Sequence, residues 1–139
     1  MAKKSDLMGL GLPVFLAQRL SNEPAVATAV GATINAAYVI GGDQYLTFVI
    51  TASAANAGVV VPAVGGEGAM NGALIGDEFK IVNMSAAAVN VWVNDCTSFL
   101  VGGVSVSGSV GVSVSVGGGI VCYPITSSTW VGLRFGSGA

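Results

Sequence analysis

Residues 103–119 read GVSVSGSVGVSVSVGGG, a stretch in which all six valines occupy even positions and all five serines occupy odd positions. Gly108 interrupts this order without changing its phase. Because side chains alternate between the two sides of a β-strand, the pattern puts valine on one face and serine on the other. A flexible linker has no reason to keep a period of two, whereas a strand with one buried face is held to a single register. The stretch therefore predicts β-structure with its valines in a core.

The same pattern limits how the stretch can turn. A hairpin with a two-residue loop would place serine opposite valine and mix the two faces. A three-residue loop at 107–109 pairs Val106 with Val110 and keeps the valines together, and a single long strand does so as well; both remain open. In either case the second face is small, flat and uncharged, although sheet edges are usually protected by lysine, proline or bulges. We therefore expect Ser113 and Ser115 to lie against another chain or another part of the sheet.

Two other stretches alternate in the same way. In DEFKIVNM (77–84), Phe79 and Ile81 share one face, and Glu78 and Lys80 share the other. In VNVWVN (89–94) the three valines share a face opposite the two asparagines and the tryptophan. Each stretch predicts a strand with one apolar face toward a core.

The C-terminal stretch TWVGLRF (129–135) also has a period of two. Here we expect the valine, leucine and phenylalanine to face the core, because they form the more apolar set. Trp130 and Arg134 would then lie on the opposite, polar side.

Strands and turn signals recur along most of the chain. Besides the stretches above, strand patterns occur in AVATAVGATINAAYVI, QYLTFVIT, GVVVP and GIVCYP, with glycine-rich or proline-containing segments between them. We count about eight short strands and no long amphipathic helix, a spacing typical of β-sandwiches. The predicted fold is all-β: an antiparallel β-sandwich or jelly roll spanning residues 25–139, preceded by an N-terminal arm at 1–24.

The arm contains one short helical signal. Pro13 opens PVFLAQRL (13–20), and proline is well tolerated at a first helical position. A helix of about two turns is marginal alone in water, where roughly 12 to 15 residues are needed. We expect its apolar side chains to dock either on their own domain or on a neighbouring subunit, and these two options remain open; the side chains are Val14, Phe15, Leu16 and Leu20.

The composition excludes several classes of protein. Hydrophobic residues make up 53% of the 139 residues and charged residues only 9%, with a formal net charge of −2. Five lysines and arginines give no basic stripe, so we expect no nucleic-acid partner. The uncharged stretches are rich in glycine, alanine and serine rather than leucine and phenylalanine, so we expect no bilayer span.

The residues of a catalytic or metal site are scarce. There is no histidine, which removes the commonest general base and the commonest metal ligand. Asp77 and Glu78 are adjacent, so on a strand they point to opposite faces and cannot act as a close pair. The NMS triplet at 83–85 and the glycine-rich turns are assigned structural roles. We expect no enzyme activity, no metal and no cofactor, and we expect Cys96 and Cys122 to be reduced thiols, although they could pair if their strands were adjacent.

Three aromatic residues are candidates for a binding surface. Trp92, Trp130 and Tyr45 are placed on the polar side of their strands by the alternation. They could anchor a protein contact, where tryptophan, tyrosine and arginine are enriched, or stack on sugar rings. The alternative is that a loop folds back over them, since tryptophan is usually well buried.

The order of motifs resembles a group of small virion proteins of tailed bacteriophages. The resemblance rests on DLMGLGLPVFLAQRL, GVVVPAV, a glycine-rich turn, GDEFKIVNMSAAAVNVWVN, a run of small residues and a closing TSSTWVGLRF. A strand ending in proline, a GD strand start, VN before small residues, VNVW and a terminal TW recur in that group. The chain is similar in particular to capsid decoration, or cement, proteins with jelly-roll or β-sandwich domains; its serine-valine run is longer than the pattern requires.

The resemblance implies a structural function. A decoration protein is made in the host cytoplasm and clamps neighbouring major capsid subunits on the outside of the head, as a homodimer or homotrimer. The same group includes head-fibre and tail-fibre parts, so the alternative is a fibre module that binds a carbohydrate of the host surface. The predicted partner contacts are Phe15, Leu16, Leu20, Tyr45, Trp92, Trp130, Arg134, Ser113 and Ser115.

Overall fold

Strands make up the regular structure of the three long ranges that the structure describes. A computed structural model describes residues 24–40, 47–65 and 72–136, together with Gly9 and Gly11. Within these three ranges there is no helix, and eleven strands follow one another. They are β1 (Ala25–Ala29), β2 (Tyr38–Val39), β3 (Thr47–Ser53), β4 (Gly58–Val61), β5 (Phe79–Asn83), β6 (Val89–Val93), β7 (Ser98–Val101), β8 (Val104–Val106), β9 (Val112–Val114), β10 (Gly119–Pro124) and β11 (Thr129–Phe135). The predicted helix at 13–20 lies outside the described residues.

The strands form two sheets that share one core. One sheet has seven strands in the order β1-β3-β5-β10-β11-β7-β8, and the other has four in the order β2-β4-β6-β9. Buried apolar side chains from both sheets belong to a single cluster, with Phe48, Phe79 and Trp130 from the larger sheet and Val59 and Val91 from the smaller one. The all-β, sandwich-like prediction is therefore confirmed.

The prediction of a purely antiparallel sandwich is wrong, because both sheets are mixed. Five of the nine strand pairs are parallel, including β1 with β3, β3 with β5, β2 with β4 and β4 with β6. From β1 to β7 the chain crosses from one sheet to the other after every strand. Parallel neighbours need a long connection, and here that connection contains a strand of the facing sheet.

Strands β5 and β6 have the predicted faces. Phe79 and Ile81 are fully buried while Lys80 between them is exposed. The three valines of β6 are likewise buried against the facing sheet. Alternation alone was sufficient here because only one face of each strand is strongly apolar.

Strand β11 has the opposite orientation to the one predicted. Trp130 is fully buried, with its ring centroid 6.0 Å from that of Phe79. Gly132 also faces inward, where a Cβ atom would come within 3.0 Å of the side chains of Phe99, Val101 and Ile120. The tryptophan fills the core and the glycine leaves space for its neighbours, so side-chain volume decides which face of β11 is buried.

As a consequence, the solvent side of the seven-stranded sheet is apolar. Strand register aligns Val26, Val49, Val82, Gly119 and Phe135 in one row across β1, β3, β5, β10 and β11. A second row contains Thr47, Lys80, Val121 and Leu133. We call this side the outer face; its apolar members are Val26, Val49, Val82, Val121, Leu133 and Phe135, all of them half-buried or exposed.

A buried asparagine organises the crossing from β5 to β6. Asn83 is fully buried, and its Nδ2 donates to the carbonyl oxygens of Ala87, at 2.9 Å, and Val114, at 3.1 Å. Its Oδ1 accepts hydrogen bonds from the backbone N–H of Ser85 at 3.0 Å and from the Ser85 hydroxyl at 2.6 Å. The structural role assigned to the NMS triplet is confirmed, since this side chain has no exposed surface.

Candidate interaction surface

The serine-valine stretch forms the corner between the two sheets. Its first half is β8, which pairs with β7 in the larger sheet, and its second half is β9, which pairs with β6 in the smaller sheet. Neither the three-residue hairpin nor the single long strand is present, so both expected geometries are wrong. β8 and β9 are the terminal strands of their sheets, and both lie at the same end of the sandwich.

Backbone hydrogen bonds fix the corner between β8 and β9. Gly108 donates to the carbonyl oxygen of Cys96 at 2.9 Å and accepts from the N–H of Val93 at 3.1 Å. Gly111 donates to the carbonyl oxygen of Ser107 at 3.0 Å and has a φ of 66°, a conformation that favours glycine. The corner is therefore attached to β6 and to the loop that follows it.

The valines of the stretch divide between core and solvent. Val112 and Val114 are buried, and Val106 packs against the core. Val104, Val110 and Val116 are exposed, so the prediction that all six valines enter the core is wrong. The alternation of buried and exposed residues holds within β9. The three exposed valines, Val104, Val110 and Val116, lie outside β9.

A cleft of about 660 Å³ lies between the two terminal strands. Its lining combines apolar residues of β8, β9 and β11 with one charged side chain, Arg134. We call it the edge cleft, and it is lined by Val101, Gly102, Val104, Val106, Gly111, Val112, Ser113, Gly132, Leu133 and Arg134. Among the described residues, both strands beside this cleft have one side without a strand partner.

The edge cleft contains two of the predicted contact residues. Ser113 is exposed and lines the cleft. Arg134 is also exposed and lines the cleft; it has the same alternation in β11 as the buried Trp130 and Gly132. Ser115 is half-buried and is not part of the lining. Phe15, Leu16, Leu20 and Tyr45 lie outside the described residues.

Both tryptophans are buried, so the prediction of outward aromatic contacts is wrong for them. Trp92 does lie on the outer side of β6, but residues 31–37 cover it through Ile34 and Ala37, and it is only 6% exposed. Trp130 lies inside the core, and its Nε1 has no hydrogen-bond partner in the described part of the chain. The covering loop that was one alternative is therefore present over Trp92. The carbohydrate-binding interpretation loses two of the three rings on which it depended, and the third, Tyr45, lies outside the described residues.

Sequence reasoning missed the hairpin that brings β8 to the edge. Gly102 and Gly103 connect β7 to β8 with φ values of 61° and 81°, and Val101 pairs with Val104 across them. A Gly-Gly dipeptide between two strands is a strong signal for a two-residue hairpin. β7 itself was missed because SFLV has only four residues and little polar alternation.

Among the described residues, acidic side chains form no metal-binding cluster, and Asp77 has a structural contact. Asp77 accepts a hydrogen bond from the backbone N–H of Leu74 at 2.9 Å and closes a turn before β5. No cluster of three or more histidine, cysteine, aspartate or glutamate side chains is found among these residues. No helix in the same ranges is long and apolar enough to cross a bilayer.

The two cysteines are buried free thiols, as predicted. Burial raises the pKa of Cys122 to about 12, with a smaller contribution from the neighbouring Cys96. Burial also raises the pKa of Cys96, against the lowering effect of hydrogen bonds from the backbone of Ser98, Trp130 and Gly108. Neither thiol is therefore activated as a nucleophile at neutral pH.

Comparisons with known proteins give no relative for this chain. No protein-family model matches it. No curated protein and no solved structure matches it either. The edge cleft, the exposed surfaces and the sequence motifs are therefore the features that bear on function.

Proposed function

We propose that this chain is a structural virion protein of a tailed bacteriophage that decorates the capsid and clamps neighbouring major capsid subunits. The observation that carries the proposal is the edge cleft, where the terminal strands of both sheets meet without a charged residue of their own. Sheet edges of this kind are normally protected because they accept strands from other chains. The placement on a phage capsid comes from the sequence motifs.

The edge cleft suits an extended segment of a partner protein. Strand addition uses backbone hydrogen bonds for affinity and side-chain pockets for specificity. β8 and β9 have only three residues each, so they offer few backbone bonds. The apolar lining from Val104, Val106 and Val112 must therefore supply much of the binding energy by burial.

Arg134 gives the cleft its one charge. A guanidinium at the rim pairs best with a carboxylate and can hold it through two hydrogen bonds. We expect the partner segment to be largely apolar with an acidic residue near Arg134. The proposal includes no catalytic step and no cofactor.

To clamp the capsid, each oligomer of this chain must contact more than one major capsid subunit. A homodimer has two edge clefts and a homotrimer has three, and closed symmetry favours oligomers with such small numbers of subunits. Joining several weak contacts raises the overall affinity without any new interface. The proposed partners are therefore the major capsid protein and further copies of this chain.

The proposal is tested by binding to expanded empty heads of the same phage. Purified protein is incubated with the heads, the heads are sedimented, and the bound copies and the melting temperature of the heads are measured. We expect saturable binding at hundreds of copies per head and an increase in melting temperature. Protein that stays in the supernatant, with heads that gain no stability, would contradict the proposal.

A matched pair of variants locates the contact. Ser113→Lys adds a long charged side chain to the edge cleft, and we expect it to weaken binding at least tenfold, because the ammonium group would have to be desolvated. Ser127→Lys makes the same change at an exposed serine of the β10–β11 turn, and we expect no loss of binding. Equal binding by both variants would show that the edge cleft is not the contact surface.

A further inference from the structure

The outer face of the seven-stranded sheet is apolar and is not covered by any other described part of the chain. Val26 is 70% exposed at one end of its row and Phe135 is 44% exposed at the other. Lys80 is the one charged residue within the strands of this face, and the exposed Glu78, which has the same alternation, lies just before β5 begins. Soluble proteins rarely leave a continuous apolar patch of this kind to solvent unless something binds it.

The chain reaches this sheet from its N-terminal side. β1 is a terminal strand of the seven-stranded sheet, and Pro24 directly precedes it. Ala25 pairs with Phe48 of β3, so Pro24 lies level with the row of Thr47, Lys80 and Val121. Residues N-terminal to Pro24 therefore begin at the edge of the outer face.

The segment 13–20 matches the outer face in chemistry. It contains Val14, Phe15, Leu16 and Leu20, and Arg19 is its one charge. Two turns of helix cannot hold such apolar side chains in water without a surface to cover them. The strands of the outer face contain no acidic residue, and Glu78 lies just outside β5, so we expect Arg19 to lie at the rim of the face or in solvent.

The lengths of chain and sheet agree. Four steps of about 4.8 Å separate β1 from β11, or roughly 19 Å. Residues 21–23 span up to about 10 Å when extended, and eight helical residues add about 12 Å. The segment 13–20 can therefore lie across the rows from Val26 toward Phe135 without strain.

We propose that the segment 13–20 docks on the outer face of its own sheet and adds a third layer to the sandwich. Its own sheet is favoured over that of a second copy because the three-residue connection holds the segment at a local concentration on the order of millimolar. The outer face and the edge cleft share Leu133, but the inference can be tested separately from the proposed function, since neither Val26 nor Phe135 lines the edge cleft.

The test is hydrogen exchange on the full-length protein, read by mass spectrometry of peptides that cover residues 13–20. In the unchanged protein we expect these amides to exchange at least tenfold more slowly than in the free peptide of the same sequence. Val26→Asp and Phe135→Asp each place a carboxylate in the docking surface, and we expect the protection to be lost in both. Ile125→Asp is the matched control, because Ile125 is 46% exposed in the β10–β11 turn, and protection should be kept.

The outcomes distinguish docking within one copy from docking between copies and from an undocked segment. Absence of protection in the unchanged protein, or full protection in both Asp variants, would overturn the proposal. Methyl NOEs between Leu16 or Leu20 and Val121, measured in a mixture of differently labelled chains, show whether the contact is within one copy. NOEs found only between copies would also overturn it, whereas NOEs within a copy support it.

Discussion

Asn83 connects three parts of the chain at the end of β5. Its side chain makes hydrogen bonds to Ser85 and Ala87 in the crossing segment and to Val114 in the edge strand β9. Its backbone N–H donates to Gly118 and its carbonyl accepts from Gly117, each at 2.8 Å. One residue therefore holds the crossing between the sheets and the turn after β9 in place.

Replacing this side chain should cost considerable stability. In Asn83→Ala the carbonyl oxygen of Val114 and the N–H of Ser85 lose the bonds that the asparagine side chain makes to them, and each such loss at a buried group costs about 1 to 3 kcal/mol. The carbonyl oxygen of Ala87 keeps its bond from the Ser85 hydroxyl. We expect the free energy of unfolding in urea to fall by about 2 to 4 kcal/mol. Asn94→Ala is the control, because Asn94 is exposed, and it should change stability by less than about 0.5 kcal/mol. A loss below about 1 kcal/mol in Asn83→Ala would contradict this role.

The glycines at turns and corners differ in what surrounds them. Gly102 and Gly111 have similar φ values, 61° and 66°, so alanine would be strained at both. A Cβ at Gly102 would meet nothing within 4 Å. A Cβ at Gly111 would collide with the carbonyl oxygen of Val91 and lie 2.7 Å from Cδ1 of Trp92. Comparing the stability of alanine variants at the two positions therefore separates the cost of backbone strain from the cost of steric overlap.

Alanine should be tolerated less well at Gly111 than at Gly102. Gly102→Ala should cost about 1 kcal/mol, the usual cost of a left-handed non-glycine residue. Gly111→Ala should cost at least about 2 kcal/mol more, because β9 must move away from β6 to admit the methyl group. Urea unfolding of the two variants checks the difference. Equal losses would show that the corner between β8 and β9 has room for a side chain.

The elements that could be predicted from sequence are those with one apolar face. In β5 the buried Phe79 and Ile81 alternate with the exposed Lys80, so the pattern left one possible orientation. In β11 both faces contain large apolar residues. Which face is buried depends on the space available beside Gly132 and Phe79, and the pattern of polar and apolar residues does not report that space. The exposed outer face results from that choice and could not be predicted.

The candidate site was predictable only in part for a related reason. The alternation in residues 103–119 correctly indicated β-structure, and Ser113 and Arg134 do line the same cleft. The division of this stretch between two sheets depends on the hairpin at Gly102 and on the hydrogen bonds of Gly108 to Cys96 and Val93. The second of these is a long-range contact, which alternation within a strand does not encode.

At the scale of the whole molecule, the path of the chain explains the mixed sheets. Successive strands from β1 to β7 lie in alternate sheets, so neighbours such as β3 and β5 run parallel, with β4 of the facing sheet between them in the sequence. Short strands with frequent turns suggested hairpins and antiparallel pairs instead. The same path puts every strand of this region against the shared core, so local burial is tied to the stability of the entire sandwich.

The pH dependence of stability tests how completely Cys122 of β10 is buried in the shared core. Its thiol lies in the shared core, where burial first and the neighbouring Cys96 second raise its pKa from 9.0 to about 12. The folded state thus keeps the proton between about pH 9 and 12, whereas the unfolded chain releases it. Since the folded state binds more protons in this range, the free energy of unfolding falls as the pH rises, by roughly 1 to 1.5 kcal/mol per pH unit.

Comparison with Cys122→Ala isolates this effect from other alkaline titrations. The alanine variant lacks the thiol, so its free energy of unfolding should decline less steeply than that of the unchanged protein between about pH 7.5 and 10.5. We expect the difference between the two proteins to change by about 2 kcal/mol over this range, in urea unfolding under reducing conditions with reversibility checked at the lower pH. A constant difference would mean that the thiol ionises in the folded protein near its usual pKa, which requires that water reach the space between the sheets.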